Sequence, residues 1–148
     1  MPRIERSAQL VWEGNLARGI GSISAGTGAF ADLGYSLPTR IGQPEGKTSP
    51  EELLAAAHGG CITMSLAGEL TRAGTPPGRL DVSCRIVMDE VEGRGHLIVA
   101  SYVDAVVDAD GLDDDGLRQA LAEADDGCSF SKLLRAAGVE LHVSARRA

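Results

Sequence analysis

SPEELLAAAHGGCITMSLAGELTR, residues 49–72, reads as one long helix around which the rest of the chain is arranged. Its start carries three helix signals. Ser49 can cap the first free N–H groups, Pro50 takes the first helical position, where its missing N–H costs nothing, and Glu52 can close a capping box three residues after the cap. Leu53, Leu54, Ala55, Ala56, Ala57, Ile62, Met64, Leu66, Ala67 and Leu70 cover most of the circumference. That distribution predicts a helix buried on most sides rather than along one stripe. Gly59 and Gly60 run against it, since each costs about 1 kcal/mol relative to alanine inside a helix. A glycine pair directly before Cys61 predicts that another backbone, or a ligand, comes close there.

Upstream of this helix, residues 7–13 and 18–24 read as strands joined through Gly14 and Asn15. Residues 25–48 are rich in Gly, Pro and Thr and read mostly as loop. Within them YSLPTRI, residues 35–41, is expected to hold a short edge strand, because Pro38 is not tolerated in a central one. Downstream, Gly74, Pro76, Pro77 and Gly78 end the helix. Leu80, Val82, Cys84, Ile86 and Met88 then alternate with polar residues, Val87 being the exception, which predicts a half-buried strand. Glu92, Gly93, Arg94 and Gly95 make a turn, and residues 96–108 return as the partner strand. Asp110 to Asp115 form an acidic loop. Leu117, Ala120, Leu121 and Ala124 mark a short amphipathic helix ended near Gly127. Cys128 opens a second helical run, SFSKLLRAA, closed by Gly138, and residues 139–145 form a last strand with Val139, Leu141 and Val143 inward. There is no internal repeat and no linker. The order predicts a single α+β domain over residues 1–148.

With 148 residues and 43% hydrophobic content the chain can bury a modest core, and with only 3% aromatics that core must be built from Val, Leu, Ile and Ala. A formal net charge of −7 argues against nucleic acid or an anionic membrane as the main partner. No apolar run approaches the ~18 residues of a membrane span, and MPRIERSAQL carries no signal-peptide apolar region. A cytoplasmic location is expected, where a permanent structural disulfide is unusual. Cys61, Cys84 and Cys128 contain no CxxC pair and are too scattered for a zinc site. They leave redox chemistry, nucleophilic chemistry or plain packing.

Cys84 falls on the apolar face of a strand and reads as core. Cys61, on an apolar helix, is either filler or a nucleophile. Cys128 directly precedes a helical run, whose dipole would favour its thiolate, or it is simply a small N-terminal cap. A thiolate nucleophile in an apolar site needs a positive neighbour, because desolvation raises its pKa. Arginine, which keeps its proton, is the best stabiliser, and a carboxylate should hold it in place. Arg18, Arg40, Glu51 and Glu52 lie before and at the helix start.

SPEELLAAAHGGC and GCSFSK resemble the two cysteine motifs of the OsmC/Ohr family of organic hydroperoxide peroxidases. QLVWEGNLARGIGSIS and YSLPTRIG are similar to its OsmC branch, and the likeness covers essentially the whole chain. The resemblance implies an OsmC-like fold: antiparallel sheets packed around a long central helix, in an intertwined homodimer whose active sites lie at the subunit interface. It implies that Cys61 attacks the peroxide and Cys128 resolves the product as a disulfide. It makes Glu51 the family's glutamate and Arg40 its arginine. Ser22 stands where the Ohr branch has its arginine, whereas the OsmC branch takes it from the segment matching Arg40; Arg18 is the second candidate. No cofactor or metal is implied. The implied partners are a hydroperoxide substrate and an external dithiol of lipoyl type, free or on a lipoylated protein. One departure stands out: Ser129 follows the second cysteine, where the family usually has proline.

Glu51 and Cys61 are ten residues apart, about 15 Å along a continuous helix. Either the helix breaks at Gly59 and Gly60, or the helping glutamate comes from a second chain. Other readings stay open. His58, three residues before Cys61, could form a cysteine–histidine pair serving a thiol hydrolase or acyl transferase, or simply be packed or solvated. The cysteines could instead be passive, in a binding protein for small apolar ligands. Asp113, Asp114 and Asp115 lack the spacing of a calcium loop, and Gly26 and Gly28 lack the GxGxxG of a nucleotide site. His96 and His142 receive no role.

Overall fold

In the computed structural model, which describes residues 2–148, the chain forms two compact units, one up to Pro50 and one from Glu51 to Ala148. In the first, β1 (Ala8–Glu13) and β2 (Ile20–Ala25) pair antiparallel from Ala8↔Ala25 to Glu13↔Ile20, and β3 (Leu33–Tyr35) adds to the other edge of β2. Gly21 lies between Trp12 and Tyr35 in register, and those rings pack with centroids 5.6 Å apart. A Cβ on Gly21 would lie 2.4 Å from the Tyr35 ring, so the aromatic pair covers a position that only glycine can hold.

The edge strand expected over residues 35–41 is not there. The strand ends at Tyr35, and α1 (Leu37–Ile41) follows as a single helical turn. Ser36 and Thr39 explain the difference. The Ser36 hydroxyl accepts from the Thr39 N–H at 3.3 Å, and the Thr39 hydroxyl accepts from the Ser36 N–H at 3.1 Å. That reciprocal capping box, with Pro38 in the first turn, where proline favours a helix, outweighs the strand reading.

α2 (Pro50–Arg72) runs where the sequence places it and continues through Gly59 and Gly60 without a break. Its end is a glycine stop: Gly74 has φ +85°, and the Thr75 N–H reaches back to the Leu70 carbonyl at 2.9 Å. By length and composition α2 could cross a membrane, contrary to the expectation that no apolar segment is long enough. In this chain one stripe of it is buried, not most of its sides as the residue distribution predicts. Its fully buried residues, His58, Gly59, Ile62, Leu66 and Leu70, follow one stripe, while Met64 is 79% exposed.

β4 (Arg79–Val91) and β5 (Gly95–Asp108) form the expected hairpin. Val87 pairs with Ala100 but Met88 with Ile98, so Val99 is an extra residue, a bulge that accounts for the break in alternation at Val87. α3 (Asp114–Gly127) and α4 (Ser129–Ala136) follow, and then β6 (Glu140–Arg147). The antiparallel expectation holds for the other pairs, but β6 lies parallel to β5, from Ala100↔Glu140 to Val107↔Arg147. Parallel neighbours need a long crossover, and the two helices supply it. The acidic loop starts a helix: the Asp113 carboxylate accepts from the Gly116 N–H at 2.7 Å, and no metal-holding group of acidic, His and Cys residues exists among the described residues. Leu66 and Leu70 pack with Ala105 and Val107 of β5 and Leu117, Ala120 and Ala124 of α3 in the main core.

A Cβ on Gly59 would stand 2.9 Å from the Cys84 Cβ, whereas one on Gly60 would meet nothing within 4 Å. The close approach predicted at the glycine pair is therefore β4, at Gly59. Gly59→Ala is expected to lower stability by about 1–3 kcal/mol in a denaturant or thermal melt. Adding Cys84→Ala, which keeps the offending Cβ, is not expected to restore it.

Candidate functional site

The helix α2 carries Cys61 half-buried near its middle, and the α3–α4 junction carries Cys128 fully buried. Cys128 ends one helix and starts the next, with extended backbone at φ −75°, ψ 119°. Its sulfur caps α4, accepting the Ser131 N–H at 3.4 Å. Ile62, Val103 and Cys128 form a small buried cluster, and Cys61, Cys84 and Phe130 pack against it. Residues 67 positions apart in sequence are thus held on one apolar patch, because α2 and the α3–α4 corner both pack on β5.

Electrostatics separate the two thiols. Burial pushes the Cys61 thiol up, but four hydrogen bonds outweigh it and leave its pKa below the ordinary thiol value. They come from the Cys128 thiol, the Phe130 and Ser129 N–H groups and the Ser129 hydroxyl. Free N–H groups at the start of a helix favour an anion, and here they converge on Cys61. Cys128 moves the other way. Burial raises its pKa first, and its hydrogen bond to Cys61 raises it further, only partly offset by the Ser131 N–H and hydroxyl. The expectation that the helix dipole favours a Cys128 thiolate is therefore reversed: the dipole serves Cys61, and desolvation keeps the proton on Cys128.

His58 is fully buried, and both ring nitrogens are engaged: Nδ1 lies 2.7 Å from the Ser101 hydroxyl of β5 and Nε2 2.9 Å from the Ser131 hydroxyl of α4. Burial pushes its pKa down, Asp125 raises it and Arg135 lowers it, with a net fall. A neutral, serine-bridged imidazole is not the base of a Cys61–His58 pair. The serines were missed, yet Ser101 is legible: it is the polar member of the inward row Ser101, Val103, Ala105, Val107. Ser131 stands three residues after the capping cysteine, where a cap's partner belongs.

Cys84 is half-buried, packs on the same cluster as expected, and lies 3.6 Å from the Ser101 hydroxyl. It also lines a cavity of about 420 Å³ walled by Ala55, Ala56, Gly59, Gly60 and Val82. Glu51 is in the first turn of α2, ten residues before Cys61 on the unbroken helix. Arg40 is in the last turn of α1, its N–H bonded to the Ser36 carbonyl at 3.0 Å, beside a small cavity lined by Trp12, Leu16, Tyr35 and Leu37. The Arg18 side chain is exposed, and its backbone N–H bonds to the Asn15 side chain at 3.0 Å.

Residues 42–144 match the sequence profile of the OsmC-like protein family. The chain is 32% identical over 133 residues to Peroxiredoxin OsmC of Escherichia coli (strain K12), covering 90% of this chain and 92% of that one. In structure it is similar to an organic hydroperoxide resistance protein from Elizabethkingia anophelis, with a TM-score of 0.79, 17% identity and full coverage of both chains. It is similar also to OsmC from Legionella pneumophila, with a TM-score of 0.76, 17% identity and coverage of 97% and 98%. At these identities the structures speak for the α+β fold.

Thiol alkylation followed over pH, peptide by peptide, should show Cys61 reacting at lower pH than Cys128. Ser129→Ala should move the Cys61 midpoint up, and Ser129→Pro, which removes the N–H as well, should move it further. A midpoint unchanged in both variants contradicts the role given to the α4 terminus.

Proposed function

This chain belongs to the OsmC-like family, and we propose that it is a thiol-dependent peroxidase reducing organic hydroperoxides to alcohols in stress defence. One observation carries the reading: Cys61 packs against the small buried cluster that contains Cys128, and their surroundings push the two thiol pKa values in opposite directions. The Cys61 thiolate attacks the distal oxygen of ROOH. The O–O bond breaks, an S–O bond forms, and the alkoxide leaves as alcohol once protonated. Cys61 is now a sulfenic acid. Cys128 condenses with it to a disulfide and water before a second peroxide can oxidise it further. An external dithiol of lipoyl type, free or on a lipoylated protein, then reduces the disulfide to two thiols. No bound cofactor is required.

Arg40 is assigned to stabilise the Cys61 thiolate and the charge growing on the leaving oxygen, with Glu51 orienting it by a bidentate pair. The helix supports a two-chain site. Since α2 does not break at Gly59 and Gly60, Glu51 stays about 15 Å from its own Cys61, and the assisting glutamate comes from a second copy. The exposure of Met64 on α2 and of Leu10, Val11 and Ile20 in the first unit is in keeping with a homodimer. The apolar surroundings of Cys61, packed against Ile62, Val103 and Phe130, favour alkyl or lipid-like hydroperoxides over hydrogen peroxide. We place the protein in the cytoplasm, where dithiol reductants are available.

Consumption of cumene or tert-butyl hydroperoxide with excess dithiol should be abolished in Cys61→Ser. In Cys128→Ser it should stop after about one turnover, with Cys61 overoxidised by mass spectrometry. Full turnover by Cys61→Ser contradicts the assignment. A fully active monomer in equilibrium sedimentation contradicts the composite site.

A further inference from the structure

Behind the two thiols lies a closed polar chain that the peroxidase reading does not use. It runs from Cys84 to Ser101 at 3.6 Å, Ser101 to His58 at 2.7 Å, and His58 Nε2 to the Ser131 hydroxyl at 2.9 Å, and the Ser131 N–H donates to the Cys128 sulfur at 3.4 Å. Ser101, His58, Ser131 and Cys128 are all fully buried, so no water competes for their protons. The elements packed around His58 bring Asp125 of α3 and Arg135 of α4, which form an ion pair, besides the cysteines. Asp125 Oδ1 is buried with no hydrogen-bond partner among the described residues. A positive charge on the imidazole would meet that carboxylate's field.

The resolving step has a difficulty this chain can remove. Cys128 must lose its proton to attack, yet burial holds the proton on. Resting on the peroxidase reading above, we propose that His58, acting through the Ser131 hydroxyl, is the base that frees Cys128. In this scheme the Cys128 proton faces the Cys61 thiolate in the reduced enzyme, since Cys61 packs against the cluster that holds Cys128. Oxidation of Cys61 to sulfenic acid removes that negative charge, and the proton turns to Ser131. The Cys128 S–H bond breaks toward the Ser131 oxygen while the Ser131 proton passes to His58 Nε2, whose Nδ1–H donates to Ser101. The Cys128 sulfur attacks the Cys61 sulfur, the S–S bond forms and the S–O bond breaks. The departing hydroxide takes up one proton and leaves as water, and the imidazole returns to neutral. Cys128 sulfur is oxidised and Cys61 sulfur reduced by equal amounts, so nothing further is consumed. Neutral His58, which burial favours, is the form that can accept. His58 touches neither reacting sulfur and is a positioning and proton-relay residue.

Prereduced protein is mixed with one equivalent of cumene hydroperoxide and acid-quenched over time and pH. Dimedone trapping reads the sulfenic acid, and intact mass reads the disulfide. For His58→Gln the ratio of disulfide rate to sulfenic-acid rate should fall about tenfold or more at neutral pH. It should recover toward wild type in alkali, where hydroxide ionises Cys128 directly. Ser131→Ala, a smaller change that tests the relay even if His58→Gln does not fold, should show the same pH-dependent deficit. A folded Ser131→Ala or His58→Gln whose pH profile overlays the wild type overturns the relay while leaving the peroxidase reading intact. Wild-type protein that forms no Cys61–Cys128 disulfide overturns both.

Discussion

The packing of Cys61 against the buried cluster that holds Cys128 sets the terms for the surrounding structure. Two thiols in one apolar patch would ordinarily both be pushed up by desolvation. They differ because the donors at the open end of α4 favour Cys61, while burial dominates at Cys128. The Ser129 and Phe130 N–H groups and the Ser129 hydroxyl are directed at Cys61, while Cys128 is spent on capping that same helix and stays fully buried. One short helix thereby gives two cysteines opposite protonation preferences.

Holding that arrangement constrains the fold on every side. Gly59 lacks a side chain so that β4 can bring Cys84 against α2. The α3–α4 crossover that makes β6 parallel to β5 also sets the α4 terminus over the patch formed by Ile62 and Val103. His58, tied to Ser101 on one side and Ser131 on the other, fastens α2 to β5 and α4 with two buried hydrogen bonds. Buried hydrogen bonds of this kind cost more to break than they contribute when made, because the abandoned group stays desolvated. The His58 network therefore fixes the spacing between the elements that carry the two thiols.

Much of this was legible in the sequence. The SPEE start, the period-2 hairpin and the Gly stops at positions 74 and 138 gave the elements, because each is a local signal written in residue type. Element direction was harder: the spacing of Val139, Leu141 and Val143 marks a strand but says nothing of which way it runs, although two helices before it imply a crossover. The turn at residues 37–41 is hard to read because Pro38 suits an edge strand as well as the first turn of a helix. The protonation order of the thiols was not legible. It depends on which sulfur the α4 N–H groups reach, a matter of three-dimensional direction that spacing does not encode. Ser129 was visible as a departure from the family pattern, but that its hydroxyl also donates to Cys61 emerges only from the packing.

The account rests on Cys61 and Cys128, and no other pair, exchanging electrons. Its most direct measurement is a disulfide map of protein treated with a stoichiometric organic hydroperoxide, with remaining thiols alkylated before proteolysis. The account predicts a Cys61–Cys128 linked peptide pair and an alkylated Cys84. A linkage that includes Cys84, or Cys61 and Cys128 both recovered alkylated after the peroxide is consumed, would contradict it.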